Sequence, residues 1–259
     1  MPKKARADHE VRTSWDPLAA WYDGWVGEDG SEHHQKLAIP AVMELLELDR
    51  SDRVLDVGAG QGVLAPYVAE IGAGYVGVDA GSKLIAMARR RHAKLGDFIV
   101  GDARQLDSLA GLAAGSFSAV VFLLSLQDMD PLEPVLRGAA WALKPGGRLV
   151  ALLTHPCYRI PRQSGWGWDE GRKLQYRRID RYLTPLPVPL KPYPGQPGVS
   201  RSFHRPLSDY VNGLGAQGLA VTRMLEIPTY KRVKGERSKA INRANAEIPL
   251  FLGVRAEGR

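Results

Sequence analysis

The sequence has 259 residues, of which 44% are hydrophobic and 24% charged, the usage of an ordinary globular protein. No run approaches the roughly 20 consecutive apolar residues of a membrane span, and no apolar stretch follows the basic N-terminus as it would in a secretory signal. Cys157 is the only cysteine, which excludes an intrachain disulfide and a thiolate metal cluster. We therefore expect a cytoplasmic protein with no metal site.

The charge is unevenly distributed along the chain. Residues 1–150 carry 16 Lys and Arg against 20 Asp and Glu, whereas residues 151–259 carry 19 against 8. The second part therefore has a net charge of +11 and the first of −4. Such an asymmetry is compatible with an anionic substrate or a nucleic acid, and also with a surface that only keeps the protein in solution.

The first 155 residues predict a helical cap followed by alternating strands and helices. The cap covers residues 1–50, where apolar residues recur at helical spacing from Leu37 to Leu48. Five strands are predicted at 53–58, 75–79, 97–101, 117–124 and 148–154, with helical stretches between them. Alternation of this kind is typical of a parallel sheet covered by helices on both faces.

Residues 156–205 interrupt that alternation, because they are rich in Pro, Gly, aromatic residues and Arg. A loop of this length predicts a substrate lid inserted after the fifth strand. A helix at 206–217 and strands at 219–227 and 248–255 then complete the pattern, and the basic stretch 231–243 between these strands predicts a mobile or partner-binding loop. We expect all 259 residues to form one domain.

Three short motifs follow predicted strands, where an open parallel sheet binds its ligands. The first has glycines at 58, 60 and 62, which allow a tight turn and a close approach of the backbone to a ligand. The second is Asp79, 21 residues after Gly58, whose carboxylate can accept from both ribose hydroxyls. The third is Asp102-Ala103, a carboxylate and a backbone N–H suited to the edge of an adenine ring.

Together these motifs resemble the class I S-adenosylmethionine-dependent methyltransferases. The resemblance covers about residues 15–255 and includes the apolar strand Phe117–Leu124 and the Leu143-Lys-Pro-Gly-Gly147 turn. Narrower features are similar to small-molecule enzymes of quinone biosynthesis and of the "type 11" group. The resemblance implies a Rossmann-like, doubly wound α/β fold with seven strands, mostly parallel, that ends in a reversed C-terminal β-hairpin.

The resemblance also implies the residues that would bind S-adenosylmethionine. Gly58 and Gly60 would face its methionine part, Asp56 would orient its amino group, and Asp79 would bind its ribose. The full set of expected cofactor contacts is Asp56, Gly58, Ala59, Gly60, Asp79, Ala80, Asp102, Ala103 and Leu123.

The methyl acceptor is less well defined by the sequence, because displacement at a sulfonium methyl group requires alignment more than a fixed catalytic triad. His155, directly after the fifth strand, is the candidate general base, with a structural hydrogen bond as the competing interpretation. Candidate acceptor-binding residues come from the cap, the strand ends and the lid: Tyr22, His34, Gln127, Tyr158, Arg159, Trp166 and Trp168. Ser125, Asp128 and His33 lie in the same predicted regions.

The leading hypothesis is therefore methyl transfer to a small molecule that bears an anionic group, as the arginines of the lid indicate. An RNA or protein methyltransferase that reads its target with the basic second half is one alternative, and a non-catalytic S-adenosylmethionine-binding protein is another. A nicotinamide-dependent oxidoreductase is disfavoured, since Val63 stands where that fingerprint requires its third glycine. Methylation of cytosine carbon through Cys157 is also disfavoured, because the neighbouring residues do not match.

Overall fold

A computed structural model describes residues 15–190 and 200–258. Seven of its strands form one sheet in the order β10-β11-β5-β4-β1-β2-β3. These strands are β1 (Arg53–Val57), β2 (Gly74–Asp79), β3 (Asp97–Val100), β4 (Phe117–Leu123), β5 (Leu143–Thr154), β10 (Leu219–Ile227) and β11 (Phe251–Gly258). Four further strands are β6 (Ser164–Asp169), β7 (Leu174–Ile179), β8 (Leu186–Leu190) and β9 (Ser200–His204).

The large sheet is parallel from β5 through β3, and its last two strands are reversed. β4 pairs in parallel with both β1 and β5, whereas β11 pairs antiparallel with β5 and with β10. The predicted fold class, a mostly parallel seven-stranded sheet with a reversed C-terminal hairpin, is confirmed. The last strand begins at Phe251, three residues later than the hydrophobic pattern predicts.

Helices cover both faces of the sheet. The α-helices are α1 (Ala19–Val26), α2 (Ile39–Leu46), α3 (Ala65–Ile71), α4 (Ser82–His92), α5 (Leu132–Ala142), α6 (Leu207–Ala216) and α7 (Ser238–Glu247). A short π-helical segment, His34–Ala38, precedes α2. None of the described helices is both long enough and apolar enough to cross a lipid bilayer.

The core has two layers because the central strands are apolar on both faces. All seven residues of β4 are buried, and along β1 Val54 packs into one hydrophobic cluster while Leu55 packs into the other. Alternate residues of a strand point to opposite faces, so a strand between two helical layers must be apolar throughout. Burial of one such side chain contributes about 1.5–3 kcal/mol, which keeps the ends of these strands in fixed positions.

The N-terminal segment is attached to the sheet by specific polar contacts. The Asp16 carboxylate accepts from the backbone N–H of Lys83 and from the Ser82 hydroxyl, both at 2.9 Å, at the start of α4. Gln61 Nε2 donates to the carbonyl oxygen of Gly27 after α1. The predicted cap is thus helical over 19–26 and 34–46, and residues 1–14 of that prediction lie outside the described part of the chain.

Two segments differ from what the sequence predicts. The described parts of residues 156–205 form two antiparallel ribbons, β6 with β7 and β8 with β9, rather than an irregular loop. Residues 238–243 of the basic stretch 231–243 belong to α7. Residues 156–205 are rich in proline and glycine, and residues 231–243 are rich in basic residues. The hydrophobic periodicity that reveals helices and strands elsewhere is therefore weak in both segments.

Candidate functional site

The turn after β1 is built from glycines in a left-handed conformation. Gly58, Gly60 and Gly62 have φ angles of 78°, 56° and 83°. A Cβ added to Gly58 would lie 2.4 Å from the Cβ of Ser125, whereas the nearest atom to a Cβ on Gly60 is in the Tyr22 ring, at 3.7 Å. Gly58 is therefore required by packing as well as by its φ angle, and the space beside Gly60 stays open.

Asp79 at the end of β2 fixes this turn from the neighbouring strand. Its carboxylate accepts from the backbone N–H groups of Gly60 at 2.9 Å and of Gly81 at 2.7 Å. Burial raises the pKa of this carboxyl group, and the two N–H donors oppose that rise. Asp79 still has lone pairs for further donors, because each carboxylate oxygen accepts more than one hydrogen bond.

Asp102, after β3, is held by its own loop. The backbone N–H of Arg104 donates to it at 2.9 Å, and the Arg104 guanidinium pairs with it at 2.5 Å. Burial works against ionisation, but the Arg104 contacts outweigh it and lower the pKa of Asp102. The loop therefore presents a charged carboxylate next to Ala103.

A cavity of about 460 Å³ opens along the carboxyl ends of the parallel strands. It runs from the turn after β1 and the end of β2 to the loop after β5 and to β9. The predicted site residues that line it are Tyr22, His34, Gly58, Gly60, Asp79, Ala80, Asp102, Ala103, Leu123, Gln127 and Arg159. The structure thus brings most of the expected cofactor contacts and four of the expected acceptor contacts to one cavity.

Asp56 and Ala59 do not line this cavity. Asp56 is buried within β1, where Tyr75 Oη donates to its Oδ2 at 2.7 Å and its Oδ1 has no partner among the described residues. Burial raises the pKa of Asp56 to about 7, against the opposing effect of the Tyr75 hydrogen bond. Asp56 is therefore not exposed to the cavity, and its contact with a cofactor amino group stays a prediction.

His155 also lies away from the cavity, contrary to the expectation for a general base. Its Nε2 is 3.1 Å from Glu226 Oε1, and its Nδ1 accepts from the backbone N–H of Cys157 at 3.2 Å. Thr154 and Pro156 line the cavity and His155 does not, because neighbouring residues at a strand end point to opposite sides. Burial lowers the pKa of His155, and Glu226 partly opposes this. The competing interpretation, a structural hydrogen bond, describes the observed contacts.

Tyr158, Trp166 and Trp168 are displaced from the cavity as well. The Trp166 ring is 5.1 Å from the Arg159 guanidinium, and the Trp168 ring is 4.5 Å from that of Arg237. Both tryptophans belong to β6, so they support cationic side chains from the ribbon. These three residues do not line the cavity, and their contact with an acceptor stays a prediction.

Several cavity residues carry no assignment from the sequence. Ser202, Phe203, His204 and Arg205 come from β9 and the residue after it, in the segment predicted as an irregular lid. Alternation along β9 could have identified them only if the strand itself had been recognised. Tyr210 of α6 completes this side of the cavity.

Asp128 lies where the first part of the chain meets the inserted ribbons. Its carboxyl group is hydrogen-bonded to the side chains of Trp15, before α1, and Ser202, on β9. Burial raises its pKa to about 7, and those two hydrogen bonds oppose the rise. Tyr22 faces the same region, and burial, together with the charges of Asp79, Asp128 and Asp56, raises the pKa of its hydroxyl. The cavity therefore contains a carboxyl group that exchanges its proton near neutral pH.

These features fit a ligand that combines a ribose, a purine and a polar chain. The open space beside Gly60 admits backbone approach, Asp79 supplies an acceptor for hydroxyl groups, and Ala103 borders a space next to a charged carboxylate. The Oε1 of Gln127, on the cavity wall, is buried without a partner among the described residues, which leaves a further acceptor for a bound group.

Comparison with known proteins agrees with this geometry. A family model described as a methyltransferase domain matches residues 55–151. A ubiquinone biosynthesis O-methyltransferase of Xanthomonas axonopodis pv. citri is 29% identical over 148 residues, which are 56% of this chain and 62% of that protein. A demethylmenaquinone methyltransferase of Beutenbergia cavernae is 28% identical over 211 residues, or 82% of this chain and 80% of that protein.

A solved structure shares the architecture over most of both chains. The S-adenosylmethionine dependent methyltransferase from Mesorhizobium loti superposes with a TM-score of 0.65 and 28% identity, covering 84% of this chain and 96% of that one. The match to the Xanthomonas protein spans only 62% of that protein's length. In sheet order, in the glycine turn and in the position of Asp79, the chain is similar to S-adenosylmethionine-dependent methyltransferases, and its residues 55–151 match a methyltransferase domain.

Proposed function

We propose that this protein transfers the methyl group of S-adenosylmethionine to a hydroxyl group of a small aromatic acceptor of the quinol type. The observation that carries the proposal is the continuity of the cavity, which joins the cofactor motifs to β9 and the loop after β5. The names of the Xanthomonas and Beutenbergia proteins support a quinone-type acceptor. A polymer substrate and a protein without turnover are less favoured, because the site is a cavity of small-molecule size.

The cofactor's binding residues follow from the lining of the cavity. Asp79 would hold the ribose hydroxyls, Asp102 and Ala103 would border the adenine, and the backbone at Gly58 and Gly60 would face the methionine part. When bound, S-adenosylmethionine supplies an electrophilic methyl group on a sulfonium centre. The protein's main contribution is alignment of the acceptor, for which a dry and well-packed cavity is suited.

Asp128, rather than His155, is the group that we assign to accept the acceptor's proton. It lines the cavity, and its pKa of about 7 allows both protonation states near neutral pH. A phenolic hydroxyl becomes a better nucleophile as its proton moves to such a base. Trp15 and Ser202 hold the carboxyl group in place, which positions it for this role.

Residues 156–205 would act as the lid of the site. β9 of this segment contributes Ser202, Phe203 and His204 to the cavity wall, and Ser202 bonds to Asp128. Because β9 contacts Asp128, closure of the two ribbons over the acceptor would also set the position of the proposed base. Exclusion of water strengthens the electrostatic interactions inside the cavity.

The proposal is tested by incubating the purified protein with S-adenosylmethionine and a panel of quinols and catechols, and by measuring S-adenosylhomocysteine and methylated product. We expect product that depends on the acceptor and is lost in the Asp79→Ala variant. Tight binding of S-adenosylhomocysteine without product from any phenolic acceptor would instead support a different acceptor class or a non-catalytic role.

A further inference from the structure

Three arginines line the cavity, and they differ in what neutralises them. Arg104 pairs with Asp102 at 2.5 Å, and Arg205 pairs with Asp130 at 2.6 Å. Arg159 instead donates to two backbone carbonyl oxygens, from Nε to Pro249 at 3.0 Å and from Nη2 to Ile248 at 3.2 Å. Within residues 15–190 and 200–258, no carboxylate lies within 4.0 Å of its guanidinium.

A second cation, Arg177, lies near Arg159 and adds to the positive charge there. Arg177 donates to the Tyr158 carbonyl oxygen at 2.7 Å and to the Ser164 hydroxyl at 2.8 Å, and it too has no carboxylate partner in the described part of the chain. Both guanidinium groups lie over the Trp166 ring, at 5.1 and 5.2 Å from its centroid. Two like charges thus share one ring, and no carboxylate of the described residues lies within 4.0 Å of either guanidinium group.

This arrangement is costly for the free protein and favourable for an anionic ligand. Burial, with a contribution from Arg177, lowers the pKa of Arg159 to about 10, so the group stays protonated at neutral pH. A half-buried cation without a counter-ion loses hydration that only an anion replaces in full. The positive charge of Arg159 therefore lies at the cavity wall and is not neutralised by a carboxylate of the described residues.

The two carbonyl contacts also determine which edge of Arg159 is free. They use the hydrogen on Nε and one hydrogen on Nη2, along one side of the planar group. The other Nη2 hydrogen and those on Nη1 have no acceptor among the described residues. The free edge presents two parallel N–H donors, the geometry that binds a carboxylate in a bidentate manner.

The position in the sheet assigns this edge to the acceptor rather than to the ribose end of the cofactor. Arg159 follows β5, whereas Asp79 ends β2, and β4 and β1 lie between these two strands. We propose that Arg159 binds a carboxylate substituent of the methyl acceptor, so that among phenolic acceptors of the quinol and catechol type those that carry a carboxylate are preferred. This inference rests on the proposed function, since it names the substrate class of the same site.

The test measures ligand binding and requires no turnover. Calorimetric titration of the complex with S-adenosylhomocysteine would compare protocatechuate, a catechol with one carboxylate, with its methyl ester. We expect the unaltered protein to bind the acid at least about tenfold more tightly than the ester, and this preference to decline as salt is added. In Arg159→Gln the preference should disappear, while the affinity for S-adenosylhomocysteine stays within about twofold.

Two further variants keep the inference falsifiable. Arg159→Lys retains the charge but not the two-donor edge, so it should keep part of the preference and should fold even if loss of the charge proves destabilising. Arg178 is an exposed arginine of β7 that pairs with Asp180. Arg178→Gln is therefore the matched control and should bind both ligands like the unaltered protein.

Equal binding of acid and ester by the unaltered protein, or no binding of either, overturns the inference. The inference is also overturned if Arg159→Gln weakens the binding of S-adenosylhomocysteine as much as the binding of protocatechuate. Arg159 would then bind the cofactor's own carboxylate. Failure of the proposed function is recognised separately, since it appears as absence of methylated product in the quinol and catechol panel.

Discussion

The carboxylate of Asp79 accepts a hydrogen bond from the backbone N–H of Gly60 at 2.9 Å, although the two residues belong to different strand-to-helix turns. A second bond, from Gly81 at 2.7 Å, fixes the other carboxylate oxygen. Asp79 therefore shapes the glycine turn and faces the cavity at the same time. The proposed ribose contact and the geometry of the turn depend on one side chain.

Replacement of Asp79 by Ala is expected to weaken binding of S-adenosylhomocysteine by at least about tenfold. The reason is the loss of charge-assisted hydrogen bonds, each of which contributes about 1.5–3 kcal/mol. Calorimetric titration measures the change. Asp97→Ala, at the exposed start of β3, is the matched control and should bind like the unaltered protein. An unchanged affinity in Asp79→Ala would refute the assignment.

The two glycines of the turn should respond differently to a methyl group. Both have positive φ, so Ala at either position costs about 1–2 kcal/mol of backbone strain. Gly58→Ala adds a clash with the Ser125 Cβ, 2.4 Å away, and overpacking of this kind costs about 1–3 kcal/mol more. Urea unfolding should therefore show a larger loss of stability for Gly58→Ala than for Gly60→Ala. Equal losses would contradict the packing argument.

The proposed role of Asp128 predicts a pH dependence of methyl transfer. Since burial raises its pKa to about 7, the base form is depleted below that pH, and kcat/KM should rise with pH and level off above about 7. Asp128→Asn should lower the rate about a hundredfold and remove this inflection. Asp107→Asn, at an exposed position of the 3-10 helix Ala103–Ser108, should keep it. An inflection that persists in Asp128→Asn would assign the proton transfer to another group.

His34 predicts a pH dependence of stability. Burial, with a contribution from His33, lowers its pKa from 6.5 to about 4. Between these values the unfolded chain binds a proton that the folded chain does not, so this residue reduces the free energy of unfolding as the pH falls. The full effect is about 3 kcal/mol, reached near pH 4.

A variant without this titration isolates the contribution of His34. As the pH is lowered from 7 to 4.5, the free energy of unfolding should fall less in His34→Gln than in the unaltered protein. Urea unfolding at both pH values provides the comparison. A constant difference between the two proteins would show that His34 does not titrate in this range.

The prediction of the acceptor side from sequence was limited by the direction of single side chains. His155 and Asp128 both follow predicted strands, and the sequence favours His155 because its side chain titrates near neutral pH. In the structure, His155 points towards Glu226, while Asp128 lines the cavity with a pKa raised to about 7. A shift of one residue at a strand end moves a side chain to the opposite face of the sheet. Burial lowers the pKa of a histidine and raises that of a carboxyl group, so the group that titrates near pH 7 is the aspartate.

The sequence by itself determined the sheet, the turn and the cofactor edge, because each depends on local pattern. A short apolar run such as β4 is typical of a strand buried on both faces, and glycines followed at a fixed distance by Asp79 are a short-range signal. Tertiary structure alone showed that Arg159, Asp128 and Ser202, from distant parts of the chain, line one cavity on the proposed acceptor side. Charge compensation and burial depend on which residues are neighbours in space. Among the described residues, Arg205 pairs with a carboxylate and Arg159 does not, and the order of the amino acids does not reveal this difference.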